Sequence, residues 1–510
     1  MVVAACIDEI VRCMPCLSEL GDEADEATCR CVDEVGEVSV PVARALLLVG
    51  ACLMSGSHAA LAEDVAAPTD QSQQRPAIGF YRWQEDWSVL ADPRLRTEPG
   101  DALKYIALSK TSPKSYLSLG VTLRERFVSV DPALFGVAGG HRQDYLLHRL
   151  EVHADAHLTD NTRIFVQLEN ALAPNLAKPS PVNANKLDLR LFFLDTQAEL
   201  DGGLFKLRVG RQEIAFDLQR FVSVRDGPNV RQAYDAIWAD YERGGWRITG
   251  FASQPVQYKN ESDFDDYSNR HLTFSGIRAQ RRMTATSELS VSLSDFRQDN
   301  VHFLAGSGNE ERQNVDVHYN GSAVGVDWDI EGMKQGGSIG VKDVDAWAFG
   351  SLAGFTLSDV RWSPRLGIQL DAASGDRNPS DGQVGTFNPL FPNGYYVTLS
   401  GYTGYTNFIH LKPSLTLTPL QDVKLVAAVG ALWRQTTHDA IYAQPDIPVP
   451  GTAGEPGRRS STYGQVQLNW KATRSLAFGM EFDRYFVAPA LQRAGGHDSD
   501  YFGAEVRWGW

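Results

Sequence analysis

From residue 115 onward the chain alternates apolar and polar positions in stretches separated by turn residues. In YLSLGVTLRERF, Leu117, Leu119, Val121 and Leu123 fall on one face, with Ser118, Gly120, Thr122, Arg124 and Arg126 on the other. YLLHRLEVHADAHL sets Leu146, Leu150, Val152, Ala154 and Ala156 against Arg149, Glu151, His153, Asp155 and His157. SELSVSLSDF, YGQVQLNW and the closing YFGAEVRWGW repeat the pattern. Period two is that of a strand with different media on its two faces. Aromatics near the ends of the apolar faces (Tyr116, Phe127, Trp433, Trp470, Trp508) suit the interfacial girdles of a membrane barrel. The polar faces, dense in Arg, Asp, Glu, Gln and Ser, suit a water-filled lumen.

Connector lengths extend this reading. Short links at TDNT (159–162), DGG (201–203), RGG (243–245), NGSA (320–323), TPLQD (418–422) and KATRS (471–475) alternate with longer polar ones. The longer ones fall near 128–143, 172–185, 214–233, 256–270, 297–311, 373–393, 435–459 and 487–499. Such asymmetry predicts an all-β fold, a transmembrane antiparallel up-and-down β-barrel of about 18 strands, with short periplasmic turns and long extracellular loops. Residues 338–372 are where the pattern delimits strands least sharply. A barrel of this size encloses an open channel. Its last strand must pair with its first, because lipid satisfies no exposed backbone edge. Phe502, Trp508 and Trp510 resemble the terminal signal read by barrel-assembly machinery, which places the Trp510 ring in the periplasmic headgroup zone.

The cysteines set the compartment. All six (Cys6, Cys13, Cys16, Cys29, Cys31, Cys52) precede residue 53. CMPC and CRC have thiol spacings that suit zinc, but no hydrophobic pattern supports a folded site around them. VPVARALLLVGACLMSGSHAALAED instead offers a basic Arg44, an apolar run over 45–54 and a small-x-small site at 60–62. The expected organisation is an atypical extension over 1–38 (consistent with a start assigned too early), a secretory signal peptide over 39–62, a periplasmic N-terminal segment over 63–114 and the barrel over 115–510. Cleavage after Ala62 leaves no cysteine. A lipoprotein-type reading of LVGAC, ending at Cys52, rests on a shorter apolar run. The net charge of -15 argues against nucleic-acid binding. Residues 1–62 hold ten acidic and three basic residues, so much of the excess lies outside the barrel.

Catalytic and metal patterns are weak. GGSIG (336–340) matches a nucleophile elbow but lacks the strand-turn-helix setting and reads as a Gly-rich connector. On a strand, His153 and His157 lie about 13 Å apart, too far to share an ion, and His148 faces the other way. No catalytic residue, metal or cofactor is expected. Arginines stand out more. Arg208, Arg211, Arg220, Arg225 and Arg231 crowd into RVGRQEIAFDLQRFVSVRDGPNVRQAYDA. Pairing with Glu213, Asp217, Asp226 and Asp235 would stiffen a loop, and facing the pore would let them bind carboxylates of a solute; the two readings are compatible.

At these residues the chain resembles a known family. RWQEDWSVL, LGVTLRERF, VGRQEIAF, RFVSVRDGPNVRQAYDA, SGDRNPSDGQVGTFNPLFPNGYY and WRQTTHDAIY resemble, in order, the sequence blocks of the alginate export family of outer-membrane proteins. The resemblance spans roughly residues 80–510 and implies a monomeric barrel whose positively lined constriction passes an acidic polysaccharide. By pattern, Arg124 and Arg190 occupy the places of arginines on that family's early strands. Glu213, in GRQE, departs from a basic residue there and counts against alginate itself.

The expected function is a passive outer-membrane channel for an anionic solute, an alginate-like polysaccharide being exported. Alternation assigns Arg124, Arg126, Arg149, Arg190, Arg208, Arg365, Lys412, Arg434 and Arg507 to the lumen, with Glu151, Asp188, Asp371 and Glu505 moderating the field. The partners implied are outer-membrane lipid, barrel-assembly machinery, the anionic solute and periplasmic polymer-secretion components. An uptake porin for small organic acids or oligosaccharides is the first alternative. A secreted polysaccharide-binding β protein, for which no acid/base constellation is found, is the second.

Overall fold

The computed structural model describes residues 75–510. The proposed extension, signal peptide and cysteine-bearing region lie outside these residues. Eighteen long strands make one closed antiparallel barrel. They are β1 (Tyr116–Asp131), β2 (Gln143–His157), β3 (Thr162–Leu172), β4 (Asn185–Leu200), β5 (Gly203–Gln212) and β6 (Tyr234–Arg243). Then follow β7 (Trp246–Gln257), β8 (Leu272–Thr284), β9 (Ser287–His302), β10 (Ser307–Ala323), β11 (Val326–Ile339) and β12 (Lys342–Thr356). The circuit finishes with β13 (Arg365–Ala373), β14 (Phe408–Leu420), β15 (Val423–Trp433), β16 (Arg459–Trp470), β17 (Leu476–Val487) and β18 (Ser499–Gly509). Consecutive strands pair, and β1 closes on β18 with Arg124 opposite Arg507 and Phe127 opposite Ala504. Among the described residues no helix is long and apolar enough to cross a membrane, which says nothing of the strands.

The alternation has the orientation read from the sequence. Leu150, Val152, Val466, Trp470, Val506 and Trp508 are exposed on the outer face, while Arg124, Arg126, Arg149, Glu151 and His153 are buried inside. Tyr116 is an exception to the girdle. It lies on the inward register of β1, is buried and stacks on Tyr105 and His157. An aromatic at a strand end can face either way, and here the N-terminal segment supplies a partner on the inside.

Connector limits also differ locally. NGSA is strand, and the turn falls two residues on, at 324–325. The expected long loop over 297–311 shrinks to 303–306, because β9 and β10 continue pairing as an extended hairpin. GGSIG is not a connector: 336–339 finish β11, and Gly340 opens a tight turn into β12. The stretch 338–372 resolves into that turn, β12, an eight-residue turn and β13.

The core sits inside the barrel, in its extracellular half. Inward residues of the wall (Phe251, Phe274, Phe296, Tyr463, Tyr485) pack against Phe221, Phe387, Phe391, Tyr402 and Tyr405, which come from loops. Loop 213–233 and loop 374–407 bond to each other there through Ser223 N–H to the Phe391 carbonyl and Phe391 N–H to the Phe221 carbonyl, both at 2.9 Å. Below, residues 75–115 form short 3-10 turns and one helical turn, Asp101–Lys104, against the periplasmic rim. Trp87, Leu90, Tyr105 and Tyr116 make a small separate core there.

Candidate functional site

The sector of wall from β17 through β5 carries a cluster of inward arginines. Successive inward positions of one strand, and opposed positions of its neighbours, are close enough for their long side chains to meet. Arg124 Nε donates to Glu505 at 2.7 Å, and Arg126 donates to Glu505 at 3.2 Å and Glu481 at 2.5 Å. Arg149 donates to Asp226 at 2.6 Å, and Arg507 donates to the other oxygen of Asp226 at 2.8 Å. Arg190 donates to Glu213 at 2.9 Å, and Arg231 lies 2.7 Å from the same carboxylate. Arg208 is bidentate to Asp195 at 2.6 and 2.8 Å. Arg211, expected at the pore, instead stands on the outward register opposite the exposed Phe192 and is bidentate to Asp235 at 3.0 and 3.2 Å.

Loop 213–233 brings Glu213, Asp226 and Arg231 into this wall from the extracellular side. From the periplasmic side come Phe80 to Trp83. The Arg231 guanidinium lies 4.1 Å from the Phe80 ring centroid, and that of Arg208 lies 4.0 Å from Trp83. Trp83 Nε1 donates to Glu213 at 3.0 Å, and Gln219 donates to Tyr81 at 3.2 Å. Arg82 donates to the Val121 and Trp510 carbonyls, both at 2.9 Å, and so fixes the segment to the closing seam. The lumen is crossed by two pieces of chain that meet.

Charge in this sector is balanced. Arg124, Arg126, Arg149, Arg190, Arg231 and Arg507 face Glu151, Glu169, Glu213, Asp226, Glu481 and Glu505, equal in number. For Asp226 on the loop, burial alone would raise the pKa. Arg507, Arg149, Arg124 and Arg231 outweigh it and hold the carboxyl well below its ordinary value. Arg225 differs: its guanidinium donates to the Leu390 carbonyl at 3.3 Å and, among the described residues, has no carboxylate within ion-pair distance. Burial lowers its pKa.

The other residues expected at the pore divide. Arg220, buried, donates to Asp329 at 2.9 Å, to Glu331 and to the Tyr396 hydroxyl at 2.7 Å. Arg365 faces inward and pairs with Asp327 near the periplasmic rim. Lys412 donates to the Val397 carbonyl at 2.9 Å. Arg434 is not on the wall. It follows the last residue of β15 and donates to the carbonyls of Thr452 and Glu455 at 2.6 and 2.5 Å, closing its own extracellular loop. Period-two counting overran the strand end by one residue. Trp508 and Phe502 follow the outward register of β18, but the Trp510 ring is not free in a headgroup layer. Lys104 Nζ lies 4.6 Å from its centroid, and a Cβ on Gly100, which has φ of +89°, would fall 2.5 Å from the ring. Sequence reasoning missed Phe80, Arg82 and Trp83; FYRWQEDW carried the signal as an aromatic-rich stretch without strand alternation. Glu213, noted as a departure, is the acceptor where the two pieces meet.

The family model for alginate export matches residues 115–505, most of the barrel. The chain belongs to the alginate export family. No curated protein matches it. Solved structures with a similar fold include Pseudomonas aeruginosa OccK9 (OpdG), 13% identical with a TM-score of 0.52, covering 77% of this chain and 98% of that one. Pseudomonas aeruginosa OpdO is 12% identical with a TM-score of 0.51, over 77% and 97% of the two chains. OpdQ from the same organism is 10% identical at the same score and coverage. At these identities the likeness is one of fold. This alginate export family member is an outer-membrane channel in contact with lipid.

Proposed function

We propose that this channel passes an anionic solute passively, and that the solute is an acidic polysaccharide or its oligomers moving outward. The observation that supports this is the run of inward arginines on adjacent strands, each held by a carboxylate of the protein. A solute carboxylate can accept from two neighbouring guanidiniums as Asp226 and Glu213 do, and can replace them without leaving a guanidinium unpaired. Movement is then exchange along the wall rather than tight capture at one point, as conduction requires. Arg225, with no carboxylate of its own, is the candidate for first contact once loop 213–233 shifts.

The test is ion selectivity in planar bilayers, read from reversal potentials in asymmetric salt. Asp226→Asn removes the carboxylate that Arg149 and Arg507 share, leaving them only Glu151 at 4.0 Å and Glu505 at 3.1 Å, and should shift selectivity toward anions. Arg149→Gln with Arg190→Gln should shift it toward cations. If neither variant moves the reversal potential, the arginine wall does not line the conducting path.

A second reading, uptake of small organic acids or oligosaccharides, draws support from the aromatic filling of the lumen by Phe80, Tyr395 and Tyr396, which leaves less room for a polymer. Current block by uronic-acid oligomers, but not by small dicarboxylates, would favour the first reading. The proposal includes a monomer, export by cleavage after Ala62 (checked by an intact mass that begins at Glu63) and insertion by the barrel-assembly machinery, with periplasmic polymer-secretion components delivering the solute. The outward apolar belt leaves the secreted polysaccharide-binding alternative without support.

A further inference from the structure

Loop 258–271 leaves β7 and returns to β8, yet it is fastened to β4, which neighbours neither strand. Phe264 N–H donates to the Leu187 carbonyl at 2.9 Å, and Asp266 N–H donates to Asp188 at 3.0 Å. Lys186 Nζ reaches the Glu261 carbonyl at 2.6 Å. This fastening gathers Asp188, Asp265 and Asp266, whose nearest carboxylate oxygens all lie within 4.8 Å of one another. Protein cations do little to offset them. Arg211 lies 4.0 Å from Asp188 but is committed to Asp235, and Lys259 Nζ sits 5.5 Å from the Tyr267 ring centroid. Three carboxylates this close repel one another unless a proton or a cation joins them.

A second, independent observation points to a cation. Asn185 is only 2% exposed. Its Nδ2 donates to Asp266 at 2.8 Å, but its Oδ1 has no hydrogen-bond partner. Asn185, Asp188 and Asp266 line one cavity of about 10 Å³, about the space of a single water or ion. The Asp265 Oδ1 is likewise buried and unpartnered. A buried amide oxygen without a donor is uncommon in a folded protein. Here it lies in the cavity beside the carboxylates of Asp188 and Asp266, while the Arg190 guanidinium and the Tyr258 hydroxyl line the same space.

We infer that Asn185, Asp188, Asp265 and Asp266 bind a hard divalent cation, Ca²⁺ in preference to Mg²⁺, and thereby clamp loop 258–271 onto β4 at the extracellular mouth. All-oxygen ligation selects the hard cations, and carboxylates that can bind through one or both oxygens suit the irregular shell of Ca²⁺ better than the strict octahedron of Mg²⁺. Arg190, Val230 and Ala233 line the same cavity, so the bound ion stiffens the place where loop 213–233 returns to the wall. The inference is independent of which solute passes.

The test uses the full barrel folded in detergent and titrated with Tb³⁺, whose emission is sensitised by Tyr258 in the cavity wall, followed by displacement with Ca²⁺ and with Mg²⁺. The wild type should give a saturable component that Ca²⁺ displaces at lower concentration than Mg²⁺. Asp265→Asn and Asn185→Ala should each weaken it by about tenfold or more, as even outer-shell partners of metal sites do. Asp263→Asn, on the same loop but outside the cluster, should leave it unchanged. Heat-modifiable gel mobility reports that each barrel is folded. Ca²⁺ should also slow tryptic cleavage after Lys259 and Arg270 in the wild type but not in Asp265→Asn. The inference fails if the wild type shows no Ca²⁺-displaceable component, as a cavity holding water would. It fails equally if Asp263→Asn weakens binding as much as Asp265→Asn, which would mark a diffuse acidic surface.

Discussion

The indole of Trp83, on the N-terminal segment, donates a 3.0 Å hydrogen bond to Glu213, the first residue of a loop that enters the barrel from the opposite mouth. The two residues are far apart in sequence and belong to no common element. Their contact joins the periplasmic and extracellular obstructions into one. Glu213 also takes Arg190 and Arg231, so the wall, the loop and the segment converge on a single carboxylate.

Loss of the Trp83 ring should open the channel. Trp83→Ala removes the bond to Glu213 and the Arg208 stacking, worth about 0.5–2 kcal/mol for a cation over an aromatic face. Single-channel recordings should show more frequent openings and a larger mean conductance, with the barrel still heat-modifiable. An open probability equal to wild type would mean that the segment does not obstruct the path.

Lys104 makes the seating of that segment depend on pH. Its amine is 1% exposed, lies over the rings of Trp87 and Trp510 and has no hydrogen-bond partner. Burial, helped by the charge of Arg82, lowers its pKa to about 7. The released segment binds the proton more tightly than the seated one, so seating strengthens as pH rises from about 7 toward the ordinary lysine value. Below pH 7 both forms are charged and the full burial cost remains. Protease protection of residues 75–115 should therefore increase between pH 7 and 9. Lys104→Met should be protected at pH 6 and show no such rise. A wild-type profile flat across this range would rule the mechanism out.

Strand number, closure and facing were legible because lipid and water impose period two on every wall residue, and an error of one position would place a charge in hydrocarbon. That constraint ends where the membrane ends. Tyr116 and Arg434 lie at strand limits, where alternation continues in sequence but no longer in space. The hairpin over 303–306 was read as a loop because strands above the bilayer need no apolar face. The site was legible in kind, as arginines against carboxylates, but not in arrangement. Pairs such as Arg149 with Asp226 and Trp83 with Glu213 are set by how loops and segment enter the lumen, and no local periodicity encodes that.

The facing of the wall is open to a paired test on β16. Val466 is exposed on the outer face, whereas the neighbouring Gln467 faces inward and donates to Glu481 at 3.2 Å. Val466→Arg puts a cation toward lipid, at a cost of about 2–4 kcal/mol near the midplane. Gln467→Arg gives Glu481 a second guanidinium partner beside Arg126. The first should reduce assembled protein in outer-membrane fractions severalfold, and the second should leave it near wild type. Equal yields would mean that the strand is registered one residue out.

Arg434 provides the contrast that separates a structural arginine from a conducting one. It is fully buried and gathers the carbonyls of Thr452 and Glu455 across loop 434–458. Arg434→Met keeps much of the aliphatic stem but leaves the Glu455 carbonyl without a donor and the Thr452 carbonyl with only the Glu455 N–H at 3.3 Å, at about 1–3 kcal/mol for a carbonyl that water cannot reach. The loop should loosen, so trypsin should cut after Arg458 faster than in the wild type and the melting temperature should fall. Reversal potentials should not change, because the guanidinium lies above the strand end and touches none of the wall arginines. Asp226→Asn should do the opposite, moving selectivity while leaving cleavage at Arg458 unaltered. If Arg434→Met shifts the reversal potential as far as Asp226→Asn does, the distinction fails and the conducting path must run through loop 434–458.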